Sequence, residues 1–135
     1  MPMAIPSTPL LEVAGLSVAL ATHRGPATAV RGVGFTLQRG DTLGLIGESG
    51  SGKSLTALAL MGLLPEGARV HGSVRFDGQE LLGLPDAALC RLRGHRMAMV
   101  FQEPMTALNP VHPIGRQVAE PLRLHRGLSA RAARQ

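Results

Sequence analysis

The stretch that decides the fold is Gly47-Glu48-Ser49-Gly50-Ser51-Gly52-Lys53-Ser54. It lies between the apolar segment at residues 42–46, which predicts a buried strand, and residues 54–64, whose apolar side chains recur at helical spacing until Pro65. The pattern G-x-x-x-x-G-K-[ST] between a strand and a helix is typical of a loop that wraps around phosphate groups. Glycines let backbone N–H groups point at phosphate oxygens, and the helix N-terminus adds positive potential. We therefore predict a phosphate-binding loop at residues 47–54.

Two side chains of this loop are candidates for the chemistry. Lys53 is the only lysine among 135 residues, and every other Lys or Arg position holds arginine. A lysine at this point of the pattern reaches the β and γ phosphates of a nucleotide, and the hydroxyl of the following residue, Ser54, ligates Mg²⁺. We expect residues 47–54, together with Leu55, to contact the nucleotide, and Lys53 to act also in catalysis. ATP and Mg²⁺ are the cofactors that the pattern predicts.

The composition is that of an ordinary globular domain, with 44% hydrophobic and 17% charged residues. The formal charge of +5 comes from arginines spread along the chain, and aromatic residues make up only 2%. Because proteins that bind single-stranded nucleic acid use basic grooves and aromatic stacking, nucleic acid is not an expected partner. Cys90 is the only cysteine, which excludes an intrachain disulfide, and we expect it to be buried. The most apolar stretch, residues 55–64, is far shorter than the ~20 residues that a membrane-spanning helix needs.

The order of elements around the loop predicts an α/β protein. Residues 1–9, which are rich in proline, indicate a flexible leader. Asp77-Gly78 predicts a hairpin turn, Pro85 begins a helix, and Pro121 would kink or split a later one. Strands are predicted at residues 10–13, 16–20, 33–37, 42–46, 73–76 and 97–101, helices at 85–93 and 114–125, and a long loop at 102–113. The first strands should form an antiparallel meander that leads into a parallel core, of which this chain supplies only a part.

The segment after the last predicted strand points to one class of phosphate-binding protein. Met99-Val100-Phe101-Gln102-Glu103-Pro104-Met105-Thr106-Ala107-Leu108-Asn109-Pro110 closely resembles the Q-loop of ABC transporter ATPases, in the form seen in oligopeptide and dipeptide importers. Residues 47–65 and 72–78 resemble the same subfamily, and the resemblance extends roughly from residue 10 to the end. It implies a P-loop NTPase fold of the ABC ATPase type, with an N-terminal antiparallel β meander and an incomplete core.

The resemblance also implies a function and a set of partners. Members of this family bind ATP at the interface with a second ATPase subunit, in a homodimer or heterodimer, and hydrolyse it. Hydrolysis drives the import of peptides or similar solutes through transmembrane permease subunits, which receive cargo from a separate solute-binding protein, at the cytoplasmic face of the inner (plasma) membrane. Gln102 would contact Mg²⁺ and the attacking water. An amide suits this role because it donates and accepts hydrogen bonds without adding charge.

The resemblance divides the chain and shows where it departs from the family. Residues 1–9 are the leader, 10–102 the N-terminal part of the nucleotide-binding domain, and 103–135 the Q-loop and the start of a helical subdomain that we expect to be truncated. Leu20 stands near the place of the aromatic residue that stacks on adenine, and His23 is an alternative. Leu55 stands where threonine is common. The signature Leu-Ser-Gly-Gly-Gln, the Asp-Glu strand end and the switch histidine do not occur, so the sequence supplies no general base for hydrolysis.

Two other functions fit parts of the pattern. A truncated nucleotide-binding module would hold nucleotide without turnover of its own. A small-molecule kinase would need lid and substrate-binding residues, and a GTPase would need a guanine-reading Asn-Lys-x-Asp, for which the single lysine at residue 53 is not free. Because the core is incomplete, we also expect exposed apolar edges and a poorly soluble or marginally stable chain.

Overall fold

The computed structural model describes residues 8–135, apart from the side chain of Pro104, so residues 1–7 of the predicted leader lie outside the description. The chain forms two compact units, one ending at Pro85 and the other beginning at Asp86. Within the described residues, no helix has both the length and the apolar character needed to span a membrane. The boundaries at residues 9 and 102 remain predictions from the sequence.

The first unit contains a four-stranded antiparallel sheet in the order β2-β1-β3-β4. Its strands are β1 (Leu11–Thr22), β2 (Gly25–Leu37), β3 (Arg69–Phe76) and β4 (Gln79–Glu80). Strands β1 and β2 form a hairpin whose turn is His23-Arg24, and β3 and β4 form a second hairpin at the predicted Asp77-Gly78 turn. The predicted antiparallel pairing of the first strands is therefore confirmed, but the strands do not form a meander, because β3 pairs with β1 and not with β2.

A bulge in β1 determines which of its side chains are buried. Between Val13 and Leu16, β1 advances one residue more than the paired stretch of β2, and Gly15 within the bulge has a φ of 59°. Simple alternation would place Val13 and Leu16 on opposite faces, but the extra residue lets both be buried in the same core as Val18. Gly72 of β3 lies against this bulge, where a Cβ would be 2.5 Å from Gly15 O.

Helix α1 (Lys53–Met61) follows the glycine loop directly and contacts β1 and β2. Its C-terminus has the Schellman arrangement, in which Gly62 N donates to Ala59 O at 3.1 Å and Leu63 N to Leu58 O at 2.9 Å. Gly62 adopts the left-handed conformation that this cap requires, with a φ of 64°. The predicted helix is confirmed, but it ends at the glycine cap and not at the proline three residues later.

The two strands predicted for a parallel core are absent from the structure. Residues 42–46 and 97–101 belong to no strand, and the only pairing in either segment within the described chain is an isolated bridge between Arg93 and Met97. Ile46 is 100% exposed and Val100 is 97% exposed. A buried parallel strand needs neighbours that pair with its N–H and C=O groups, and no segment among residues 8–135 supplies them. Both strand predictions are therefore wrong for this structure.

The second unit is helical. Its helices are α2 (Asp86–Leu92) and α3 (Ile114–Arg126), and short 3-10 turns cover Pro104–Thr106 and Ala132–Arg134. Both predicted helices are confirmed, and α3 continues through Pro121 without being split. Ser129 Oγ accepts a hydrogen bond from Ala132 N at 3.2 Å, at the start of the turn Ala132–Arg134.

Cys90 is exposed, contrary to the expectation from its residue type. Leu89 is the buried residue of α2, and Cys90 lies on the neighbouring polar side of this helix. Its thiol donates to Asp86 Oδ2 at 3.5 Å, and Arg93 Nη1 lies 3.8 Å from its sulfur. Cys90 therefore lies on the exposed side of α2, next to the charged side chains of Asp86 and Arg93, although a thiol is small and apolar enough to be buried.

Candidate phosphate-binding site

The glycine loop winds directly into α1. Gly50 and Gly52 have φ values of 81° and 88°, a region that side-chain-bearing residues rarely adopt. Ser51 N donates to Glu48 O at 3.1 Å, which closes a turn inside the loop, and Thr56 N donates to Gly52 O at 2.9 Å, which begins the helix. Helix geometry leaves the amides of residues 53–55 without intrahelical acceptors. These amides and the helix dipole create a binding position for an anion.

Lys53 holds the loop together through its ammonium group. Its Nζ donates to Gly47 O at 2.5 Å, to Glu48 O at 2.8 Å and to Ser51 Oγ at 3.1 Å. An ammonium group has three protons, and these three acceptors satisfy them. A Cβ on Gly47 would collide with the Ser51 hydroxyl. A side chain at residue 47 would therefore displace the Ser51 hydroxyl from the ammonium, and the closed loop fixes a positive charge at its centre.

A cavity of about 400 Å³ lies between this loop and β2. Gly52 is a point of close approach between the two, because a Cβ there would be 2.9 Å from Ala29 O and 3.0 Å from Val30 Cγ2. The volume is within the range of about 300–1,000 Å³ that is usual for small-molecule sites. The cavity is lined by Ser51, Gly52, Lys53 and Thr56 on one side, by Thr28, Ala29, Val30, Arg31 and Val33 of β2 on the other, and by Leu45 and Ile46.

The structure brings the predicted loop residues together through hydrogen bonds. In the first turn of α1, however, a residue that was not predicted lines the cavity in place of the predicted Leu55. The side chain of Leu55 is half-buried and does not line the cavity, whereas that of the next residue, Thr56, does. Thr56 is 4% exposed, and its Oγ1 donates to Gly52 O at 2.8 Å. Ser49, Gly50 and Ser54 are exposed in or beside the loop. Thr56 was missed by sequence reasoning, although its position four residues after Gly52 was a usable signal.

Neither residue considered for contact with adenine lines this cavity. Leu20 lines a smaller cavity of about 160 Å³ next to the β1–β2 turn, and His23 is exposed in that turn. The wall that β2 contributes was not predicted. No short pattern in the sequence connects β2, which ends at Leu37, with a loop that begins at Gly47.

Gln102 lies in the second unit, in an exposed bend before the 3-10 turn Pro104–Thr106. The far end of the same loop is fastened to α3 by Gln117. Its Oε1 accepts from Asn109 N at 2.7 Å, and its Nε2 donates to Asn109 O at 2.8 Å and to His112 O at 2.9 Å. All hydrogen-bonding atoms of this amide are therefore used to hold the loop, a role that the sequence did not indicate.

Comparison with known proteins agrees with the geometry of the loop. The ABC transporter family matches residues 30–133. The chain is 52% identical over 124 residues to the oligopeptide transport ATP-binding protein OppD of Salmonella typhimurium, which covers 92% of this chain and 37% of that protein. It is 51% identical over 125 residues to OppD of Haemophilus influenzae, which covers 93% of this chain and 39% of that protein.

The chain thus spans about two fifths of the length of these relatives. The family match begins at Val30, inside β2, and takes in the glycine loop, α1 and Gln102. Because it extends over well more than half of the residues, this chain belongs to the ABC transporter family of ATP-binding proteins.

Proposed function

We propose that this chain provides the nucleotide-binding loop of an ABC importer ATPase, which couples ATP binding and hydrolysis to the uptake of peptides or similar solutes through a membrane permease. The observation that carries the proposal is the glycine loop closed around the Lys53 ammonium at the N-terminus of α1. The names of the relatives, which describe oligopeptide transport ATP-binding proteins, support the peptide part of the proposal.

The residues present fit a magnesium nucleotide. The loop offers backbone N–H groups to phosphate oxygens, the Lys53 ammonium held by three loop acceptors adds a positive charge beside them, and Gly47 leaves no side chain in the cradle. Neutral hydroxyl and amide oxygens, such as those of Ser54 and Gln102, belong to the hard ligands that Mg²⁺ prefers. Bound Mg²⁺ would neutralise charge that develops on the phosphates during transfer.

Each proposed role belongs to a particular group of the chain. The amides of residues 47–55 bind the phosphates, Lys53 stabilises the β and γ phosphates, and the Ser54 hydroxyl ligates the metal. Gln102 orients the attacking water and contributes a metal ligand, a role that rests on the sequence resemblance of its loop. With these assignments the chain positions the nucleotide, while a general base must come from outside the 135 residues.

The proposed partners are a second ATPase subunit, the transmembrane permease and, through it, a solute-binding protein. The assembly would lie at the cytoplasmic face of the plasma membrane. Exposed large apolar side chains support contact with further protein in both units, for example Leu43 and Leu63 in the first and Ile114 and Val118 in the second.

Replacement of Lys53 by alanine tests the proposal. Isothermal titration with Mg-ATP should show at least about tenfold weaker binding, because hydrogen bonds to charged groups contribute about 1.5–3 kcal/mol. Arg24→Ala removes the same charge from the exposed β1–β2 turn and should leave the affinity unchanged. Unchanged ATP affinity in Lys53→Ala, with a native circular dichroism spectrum, would overturn the proposal.

A second candidate is a nucleotide-binding module without turnover, which the missing Leu-Ser-Gly-Gly-Gln signature favours. A phosphate-release assay on the same protein separates the two functions. Binding of ATP without release of phosphate supports the module, and release that Lys53→Ala abolishes supports the ATPase.

A further inference from the structure

We propose that Arg31 is a second phosphate-binding cation of this site, which holds the polyphosphate of the nucleotide from the β2 side while Lys53 acts from the loop side. The inference rests on the proposed nucleotide binding. It adds a residue that the glycine-loop pattern does not contain.

The position of Arg31 in the cavity is the first argument. Among the described residues that line the 400 Å³ cavity, Arg31 and Lys53 are positive and none is negative. The two cations come from different elements, β2 and the start of α1. A cleft lined by charge of one sign concentrates ligands of the opposite sign. The cavity is therefore suited to an anion that can reach both walls.

A bulge in β2 is the second argument. Between the pairs Leu16↔Val33 and Val18↔Val30, β2 advances one residue more than β1, so that Arg31 and Gly32 both lie opposite Ser17. Gly32 has a φ of 57°, and its N–H donates to Ser17 Oγ at 2.8 Å, which fixes the bulge.

This bulge lies beside the part of β2 that lines the cavity. The consecutive residues Thr28, Ala29, Val30 and Arg31 all line it, so this stretch of β2, with Arg31 at the bulge, faces the loop. Bulges are over-represented next to active sites, where they redirect a side chain. The hydrogen bond from Gly32 N to Ser17 Oγ and the left-handed Gly32 therefore fix the backbone next to Arg31 at the edge of the cavity.

The charge of Arg31 is available to a ligand. Its side chain is exposed, and the ion pairs found in residues 8–135 join Arg39 to Asp77 and Arg93 to Asp86. A guanidinium group binds phosphate through two parallel N–H donors, and it can also stack on a base. A polyphosphate is the better match, because Lys53 and the amides at the start of α1 already favour negative charge on the opposite wall.

Titration calorimetry on the 135-residue chain tests this assignment with three ligands: Mg-ATP, tripolyphosphate and adenosine. Arg31→Gln should lower the affinity for ATP and for tripolyphosphate by about tenfold, which corresponds to the loss of one charge-assisted hydrogen bond. Arg31→Lys should recover part of the affinity because it keeps the charge. Arg24→Gln, a matched loss of one exposed arginine, should change nothing.

Circular dichroism spectra check that the variants keep the sheet. If Arg31→Gln departs from the wild-type spectrum, Arg31→Met replaces it, since methionine keeps most of the apolar stem and removes the charge. A less than twofold change in ATP affinity for the folded variant overturns the inference, and so does an equal loss for adenosine, which would indicate base stacking.

The failure of this inference is distinguishable from failure of the proposed function. If Lys53→Ala lowers the affinity for ATP and Arg31→Gln does not, the proposed function is retained and the proposed role of Arg31 is wrong. If the folded wild-type chain binds neither ATP nor tripolyphosphate, both the proposed function and the proposed role of Arg31 are wrong.

Discussion

Replacing Gly52 with alanine tests whether the glycine loop lies against β2 in solution. Gly52 has a φ of 88°, and a Cβ at this residue would be 2.9 Å from Ala29 O and 3.0 Å from Val30 Cγ2. A backbone carbonyl oxygen in a paired strand cannot rotate away as the end of a flexible side chain can. Alanine at residue 52 must therefore push the loop off β2 or strain both.

Gly50 provides the matched control, because its φ is 81° and a Cβ there meets nothing within 4 Å. The left-handed conformation costs a residue with a side chain about 1–2 kcal/mol, and both variants bear this cost. Overpacking adds about 1–3 kcal/mol in Gly52→Ala alone. The free energy of unfolding should therefore fall by about 1–2 kcal/mol in Gly50→Ala and by about 2–5 kcal/mol in Gly52→Ala.

Urea denaturation followed by far-ultraviolet circular dichroism measures both losses on the same chain. Titration with Mg-ATP should also show a larger loss of affinity for Gly52→Ala, because the displaced loop opens the cavity between Gly52 and β2. Equal losses of stability in the two variants would refute the close approach of the loop to β2. The cavity between the loop and β2 would then not exist in solution.

Three further predictions concern the sheet and the loop after Gln102. Gly72→Ala should lose at least about 1 kcal/mol more stability in urea than Gly83→Ala, because its Cβ would clash with backbone oxygen whereas that of Gly83 meets no atom within 4 Å. Burial by itself raises the pKa of Glu80, but hydrogen bonds from a serine hydroxyl and two backbone amides, with a nearby arginine, lower this pKa overall. The stabilisation by this carboxylate is therefore present above the unfolded pKa of about 4.3 and is lost as the pH falls through the lower folded pKa. In Glu80→Gln, the free energy of unfolding should therefore decrease less steeply below about pH 5 than it does in the wild type. Gln117→Leu should accelerate hydrogen exchange at the Asn109 amide, which loses its acceptor, and protection that stays at the wild-type level would show that this clamp is not formed in solution.

Short-range patterns predicted the local structure of this chain well. Asp77 and Gly78 have φ values of 51° and 82°, the left-handed pair that an Asp-Gly hairpin turn requires. The start of α1 at Lys53 likewise lies one residue from the predicted start, although the helix ends at the Gly62 cap and not at the predicted stop, Pro65. These features were predictable because the forces that decide them act between near neighbours in sequence.

Features that depend on distant residues were not predictable from the sequence. Residues 42–46 have the apolar character of a buried strand, but a strand also needs partners for its backbone groups. The described chain offers none, and the segment is left unpaired. The β2 wall of the cavity was missed for a related reason, because its position depends on the pairing of β2 with β1 and on bulges that no composition rule specifies.

The candidate site therefore depends on two constraints that can fail separately. The loop is closed locally by the Lys53 ammonium, whereas Arg31 is placed by strand pairing and by the Ser17 hydrogen bond to Gly32. A shift of β2 by one residue would send the arginine to the other face of the sheet and leave the loop intact. Only the loop matches the G-x-x-x-x-G-K-[ST] pattern, whereas Arg31 lies outside it. Two chains with identical glycine loops can therefore differ in phosphate affinity if the strand that faces the loop differs in register.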